Sequence, residues 1–184
     1  MKGLEGVEMT SSDKRFIGGG LRVAEGAAAP LRLDHTYFER EARPMLGSIL
    51  VQKGWLTHER LDAALEQARI TGMRLGETLL VQGWLFEPEL ACALAEQFGL
   101  RYVDLVRHPI DPRAAKLIPL EVARRMFAVP VRFLESGGLE VAVADPADAD
   151  AEALERILGR GVDLVVGERS AIQEAWRYSP SCPS

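Results

Sequence analysis

The sequence predicts an α+β fold: a helical tandem repeat over residues 43–99, then a small α/β layer over residues 100–178 with a short mixed or antiparallel sheet. Three observations lead there. The run Met45-Leu-Gly-Ser-Ile-Leu-Val-Gln-Lys-Gly-Trp-Leu is answered by Arg74-Leu-Gly-Glu-Thr-Leu-Leu-Val-Gln-Gly-Trp-Leu at a constant offset of 29 residues. Self-similarity of that period marks one helix-turn-helix unit copied in tandem, and two copies offer two similar half-sites to a shared groove. Beyond Leu100 the pattern changes to short apolar runs separated by Gly and Pro and interleaved with helical stretches, as in a small α/β layer. Before Met45 no period is present, and residues 1–42 read as a disordered arm or linker, with residues 179–184 as a tail.

Each copy reads as a short helix, a glycine-ended turn and a longer helix. In the first, Leu46, Ile49 and Leu50 set the helical period, Gly54 is placed for the left-handed position after the helix, and Thr57 can cap the next one. In the second, Gly83 stops the short helix and Pro88 sits where a first-turn proline is tolerated. Leu61, Ala64 and Leu65, like Leu90, Ala93 and Leu94, form i, i+3, i+4 stripes, which ordinarily pack a core. Trp55 and Trp84 recur in register and are expected to be buried against the neighbouring unit rather than to stack on a base. Further along, Tyr102 to Leu105 reads as a short strand, and Asp111-Pro112 opens a helix towards Lys116. Leu117 to Arg125 reads as a turn into another helix. Phe127–Phe133 and Leu139–Ala144 flank Ser136-Gly137-Gly138 as a hairpin. Ala151–Leu158 is expected to be helical, Val162–Val166 a strand and Ser170–Tyr178 a final helix.

Composition excludes several classes. A net charge of −5 supplies no general field for DNA, RNA or anionic membrane, so an anionic ligand would need particular arginines or backbone amides. Two cysteines, Cys92 and Cys182, form neither a disulfide framework nor a metal pattern, which points to a reducing, cytoplasmic compartment. No apolar run approaches the roughly 18 residues that a bilayer span requires, so no membrane insertion is expected. Gly18-Gly19-Gly20 lacks the Lys-Ser/Thr of a phosphate-binding loop. Asp145, Asp148 and Asp150 lack the Gly and the bidentate Glu of a calcium loop and read as a solvated helix N-terminus. His35, His58 and His108 have no partner at metal-ligand spacing. No nucleophile motif or Walker motif is visible, so no catalytic residue and no metal site is assigned.

What plain core packing does not account for is the polar punctuation of the repeat. Gln97 lies seven residues after Leu90 on the same stripe, and Arg74 immediately precedes a Leu-Gly that opens a helix. An arginine, the amides of a helix start and a glutamine ending a leucine stripe can together hold a phosphorylated planar ring. The amides and guanidinium favour phosphate, and an arginine can also bond a guanine edge or stack on its face.

Arg74-Leu75-Gly76, Leu79, Gly83, Leu85, Leu90, Leu94 and Gln97, preceded by a matching copy, resemble the MshEN family, the N-terminal domain of type II secretion and type IV pilus assembly ATPases. The resemblance implies a ligand, cyclic di-GMP, with one motif for each half of the dinucleotide. It carries Arg74, Leu75, Gly76, Leu90, Leu94 and Gln97 over from the second copy and Leu46, Gly47, Leu61 and Leu65 from the first. The first copy departs at both polar ends, with Met45 in place of Arg and Ala68 in place of Gln. Arg43 is then the expected substitute; Gln67 is turned about 100° round the helix from position 68. The catalytic ATPase region of such proteins is absent from these 184 residues, which implies either a separate regulatory module or part of a longer protein. The expected function is a non-catalytic cyclic di-GMP sensor serving a secretion, pilus or exopolysaccharide machine, partnered by an ATPase or another envelope-machine protein. The alternative is an interaction module of the same fold with a degenerate nucleotide site.

Overall fold

Both copies of the repeat fold as two helices joined by a glycine turn: α1 (Leu46–Gln52) and α2 (His58–Thr71), then α3 (Leu75–Val81) and α4 (Glu87–Phe98). The computed structural model describes residues 44–178; the expected arm 1–42, Arg43 and the tail 179–184 lie outside the described residues. Gly54 and Gly83 take φ of 71° and 64°, a region closed to most side chains. The Trp55 N–H then reaches back to the Leu50 carbonyl and the Trp84 N–H to that of Leu79, both at 3.0 Å, satisfying carbonyls that a helix end leaves open. Thr57 accepts from the Arg60 N–H at 3.3 Å as the sequence predicts. The second copy has Phe86 there, and Glu89 instead accepts the Phe86 N–H at 2.9 Å.

Helix packing exchanges between the copies: α1 lies on α4 and α3 on α2, the arrangement a local twofold produces. Their shared core is Ile49, Leu50, Leu56, Ala64, Leu79, Leu85 and Ala93, with Trp55 and Trp84 half-buried against it. The paired glycines have a packing reason. A Cβ on Gly47 would stand 2.8 Å from Leu61 Cδ1 and one on Gly76 2.9 Å from Leu90 Cδ1, so each leucine rests on bare backbone.

The α/β layer contains β1 (Arg101–Tyr102), α5 (Pro112–Ala115), α6 (Leu120–Met126), β2 (Ala128–Phe133), β3 (Leu139–Val143), α7 (Ala151–Leu158), β4 (Val162–Val166) and α8 (Arg169–Ala175), ending in a 3₁₀ turn over Trp176–Tyr178. The strand order is β1-β4-β3-β2. The hairpin β2–β3 is antiparallel, whereas β4 runs parallel to both β3 and β1, so the sheet is mixed. The helical crossover α7 between β3 and β4 forces that parallel pairing. Pro130 is tolerated because β2 is an edge strand, with an irregular register between Pro130 and Arg132.

Several boundaries differ from the sequence reading, three of them with a visible cause or consequence. The strand expected over Tyr102–Leu105 stops at Tyr102, and Asp104 accepts the N–H groups of Val106 and Arg107 at 3.0 and 3.1 Å, turning the chain. Phe127 caps α6 in the left-handed conformation instead of starting β2. The last helix begins at Arg169 and tightens after Ala175. Helices cover both faces of the sheet: α6 and α7 pack Met126 and Leu154 against Leu139, Val141 and Val143, while α8 brings Ile172 and Ala175 against Val129, Ala142 and Val165. The repeat joins this layer through α4, whose Ala91, Leu94 and Ala95 pack on Val166, Leu100 and Tyr102.

Candidate functional site

Where α3 and α4 meet the ends of β3 and β4, the surfaces leave a cavity of about 290 Å³. Arg74, Leu75, Gly76, Leu90, Leu94 and Gln97, all singled out from the second copy, line it, and Leu46 reaches it from the first. The other first-copy residues do not line it. Gly47 and Leu61 contact each other as Gly76 and Leu90 do but lie away from the cavity, Leu65 is 47% exposed on α2, and Met45 is 75% exposed at the start of α1. Arg43 lies outside the described residues.

Arg74 leaves the backbone at the N-cap of α3, in extended conformation, so its side chain runs outward from the helix instead of along it. Its fork is occupied. Nη1 donates to Asp145 Oδ2 and Asp148 Oδ2, each at 2.8 Å, and Nη2 to Asp148 Oδ1 at 2.6 Å. Asp148 above all, with Asp145, pushes the guanidinium further above its already high range. The acidic run therefore needs correction. Only Asp150 caps a helix, accepting the Ala153 N–H at 2.9 Å, while Asp145 and Asp148 reach across to the repeat. Asp145 is held in turn by the Ala147 N–H at 2.8 Å. A carboxylate near a helix start on the linear chain carries no sign of a partner more than seventy residues away.

The opposite wall was not foreseen either. Phe127, at φ 42°, lines the cavity, and the Arg169 guanidinium carbon sits 3.6 Å from its ring centroid. Trp176 backs the same ring at 5.4 Å between centroids. Arg169 Nη1 pairs with Glu77 at 3.5 Å, and Ser170 donates its N–H and hydroxyl to Glu87 at 2.9 and 2.6 Å. Glu77 and Glu87 also line the cavity. Gln97 is half-buried, and its amide makes no side-chain hydrogen bond among the described residues. The site thus combines a leucine floor, an unspent amide, two arginines and four carboxylates. Neither tryptophan of the repeat lines it. Among the described residues, no three His, Cys, Asp or Glu side chains converge as a metal site would need, and no helix is long and apolar enough to cross a membrane.

The duplicated helical hairpin and mixed sheet are together similar to the solved structure of MshE with cdg. That protein is 36% identical, with a TM-score of 0.63, and the match covers 74% of this chain and 99% of that one. The N-terminal domain of XpsE shares the fold, with a TM-score of 0.55 at 24% identity over 73% of this chain and 92% of that one. The sequence model of the MshEN domain matches residues 98–182. This chain belongs to the MshEN domain family. Among curated relatives, the type IV pilus assembly ATPase PilB of Thermus thermophilus is 38% identical over 133 residues, 72% of this chain and 14% of that protein. Bacteriophage adsorption protein B of Escherichia coli is 36% identical over 140 residues, 76% of this chain and 18% of that protein. The chain therefore matches less than a fifth of the length of either.

Proposed function

We propose that this domain is a non-catalytic receptor module for cyclic di-GMP, acting in the cytoplasm and regulating a secretion, pilus or exopolysaccharide machine. The single observation that carries this reading is the gathering of Arg74, Leu75, Gly76, Leu90, Leu94 and Gln97 around one cavity. MshE, solved with cdg (cyclic di-GMP), supports the choice of ligand, and the pilus ATPase relatives support the kind of partner. The chemistry suits a guanine nucleotide. A guanidinium fork matches the O6/N7 edge of guanine, leucines cover the apolar face of the ring, and the Gln97 amide can both donate and accept. At about 290 Å³ the cavity suits one nucleotide half, near the lower end of the roughly 300–1,000 Å³ of small-molecule sites. The other half then falls to the first copy, where Leu46, Gly47, Leu61 and Leu65, with Arg43 as substitute cation, are the proposed contacts.

Met45 and Ala68 favour a second reading, because the first copy lacks both polar ends: an interaction module whose nucleotide site is degenerate. Calorimetry with cyclic di-GMP separates the two. The receptor reading expects one ligand per chain and weaker binding in Arg74→Ala and Gln97→Ala, by roughly 1.5–3 kcal/mol for a charge-assisted hydrogen bond and nearer 1 kcal/mol for a neutral one. Both variants are expected to keep the wild-type melting profile within a few degrees. No heat at millimolar ligand, with a partner protein still captured, would establish the second reading instead.

A further inference from the structure

We propose that Arg169, lying on the ring of Phe127, is the residue that holds a phosphate of the bound nucleotide, while Arg74 serves the base. This rests on the receptor reading above and assigns a role that the repeat motif does not contain. The two arginines lining the cavity are in different states. Arg74 has both terminal nitrogens committed to Asp145 and Asp148 at 2.6–2.8 Å. Arg169 makes no hydrogen bond through its guanidinium among the described residues; its one ion pair, to Glu77, is 3.5 Å long. A charge-assisted hydrogen bond sits at about 2.7–2.9 Å, so that pair is loose and exchangeable.

The stack on Phe127 gives Arg169 direction. With its carbon 3.6 Å from the ring centroid, the guanidinium has one face covered, and its N–H donors, which lie in its own plane, remain available sideways. Its side chain is 42% exposed and lines the cavity. A planar cation held on one face, its N–H donors making no hydrogen bond among the described residues, fits the two non-bridging oxygens of a phosphodiester. It also answers a charge problem: four carboxylates line this cavity, and a phosphate there needs a cation not already neutralised.

The test is calorimetry of the full chain with cyclic di-GMP across a salt series, for wild type, Arg74→Ala, Arg169→Ala and Arg169→Lys, with ligand-free melting alongside. The expected result is at least tenfold weaker binding in Arg169→Ala, a flatter dependence on salt because one screened charge contact is gone, and partial recovery in Arg169→Lys, which keeps the charge without the planar fork. Binding of Arg169→Ala within twofold of wild type, with Arg74→Ala weakened, overturns this inference and leaves the receptor reading standing. A lowered ligand-free melting temperature with an unchanged salt dependence also overturns it, since Arg169 would then act only by tying Glu77 and Phe127 together. A wild type that binds nothing removes the receptor reading and this inference with it.

Discussion

Asp148 and the proposed ligand compete for the same fork. The carboxylate occupies Arg74 bidentately at 2.6 and 2.8 Å, and at 48% side-chain exposure it is the more solvated of the two partners. Asp145, 27% exposed and anchored by the Ala147 N–H, is the one that positions the arginine. Asp148→Asn is therefore expected to tighten cyclic di-GMP binding three- to tenfold, a gain of about 1 kcal/mol, and Asp145→Ala to weaken it. Calorimetry on the two variants checks this, and weakening by Asp148→Asn would mean that this carboxylate bonds the ligand itself. A second carboxylate, Glu140, is expected to contribute to stability in acid. Glu140 is almost fully buried on β3, between Arg132 at 2.9–3.0 Å and Arg101 at 2.6 Å. The Arg132 hydrogen bonds foremost, with Arg101 adding to them against the cost of burial, hold its carboxyl below the ordinary 4.5. A depressed folded value means that the stabilisation is complete above the ordinary value and is lost as the pH falls from there through the lower folded one. Glu140→Gln should cost about 1–2 kcal/mol at neutral pH, discounted because both arginines are more than half exposed, and should flatten the pH dependence of denaturant unfolding below pH 4.5. An unchanged acid profile would remove Glu140 from that role.

At the scale of the element, the unit is a short helix whose glycine backbone receives a leucine from the long helix that follows it. Gly76→Ala pits a helix-propensity gain of about 1 kcal/mol against overpacking worth roughly 1–3 kcal/mol, so the net loss of stability should lie between about 0 and 2 kcal/mol. Binding is expected to suffer more than folding does, because Leu90, which must swing aside, lines the cavity. Thermal melting set beside calorimetry separates the effects. The first copy supplies the complementary experiment. Met45 occupies the N-cap of α1 as Arg74 does that of α3, so its backbone exit is already the right one, with φ and ψ of −72° and 140° against −71° and 151°. Met45→Arg with Ala68→Gln should tighten binding at least tenfold, and unchanged affinity would mean that the first copy does not contact the ligand.

Over the whole molecule, the cavity is bounded by both layers, and polar bridges cross its mouth from one to the other: Arg74 to Asp145 and Asp148, Arg169 to Glu77, and Ser170 to Glu87. A ligand seated there touches α3 and α4 on one side and the ends of β3 and β4 on the other, so it stabilises the folded assembly as a unit. At a hundredfold excess over Kd the gain is about 2.7 kcal/mol, a rise in Tm on the order of 5–10 °C. A thermal scan with and without cyclic di-GMP reads this directly, and no shift under saturating ligand would contradict it. Arg74 and Gln97 break the repeat, which has Met45 and Ala68 in the first copy, and their role is what the family resemblance implies; the sequence by itself determined the two-copy repeat, its glycine turns, its leucine stripes, the hairpin and the order of helices and strands. Each of these is written in local periods and fixed offsets, and a helix stripe or a glycine turn is set by neighbours a few residues away. Only the tertiary structure decided that the sheet is mixed, that Gly47, Leu61 and Leu65 do not line the cavity, and that Asp145, Asp148, Phe127 and Arg169 do. Those four belong to the other layer, up to 95 positions from Arg74, and come together only when α4 docks on β4, because an ion pair or a stacked ring depends on distance in space and leaves no period along the chain.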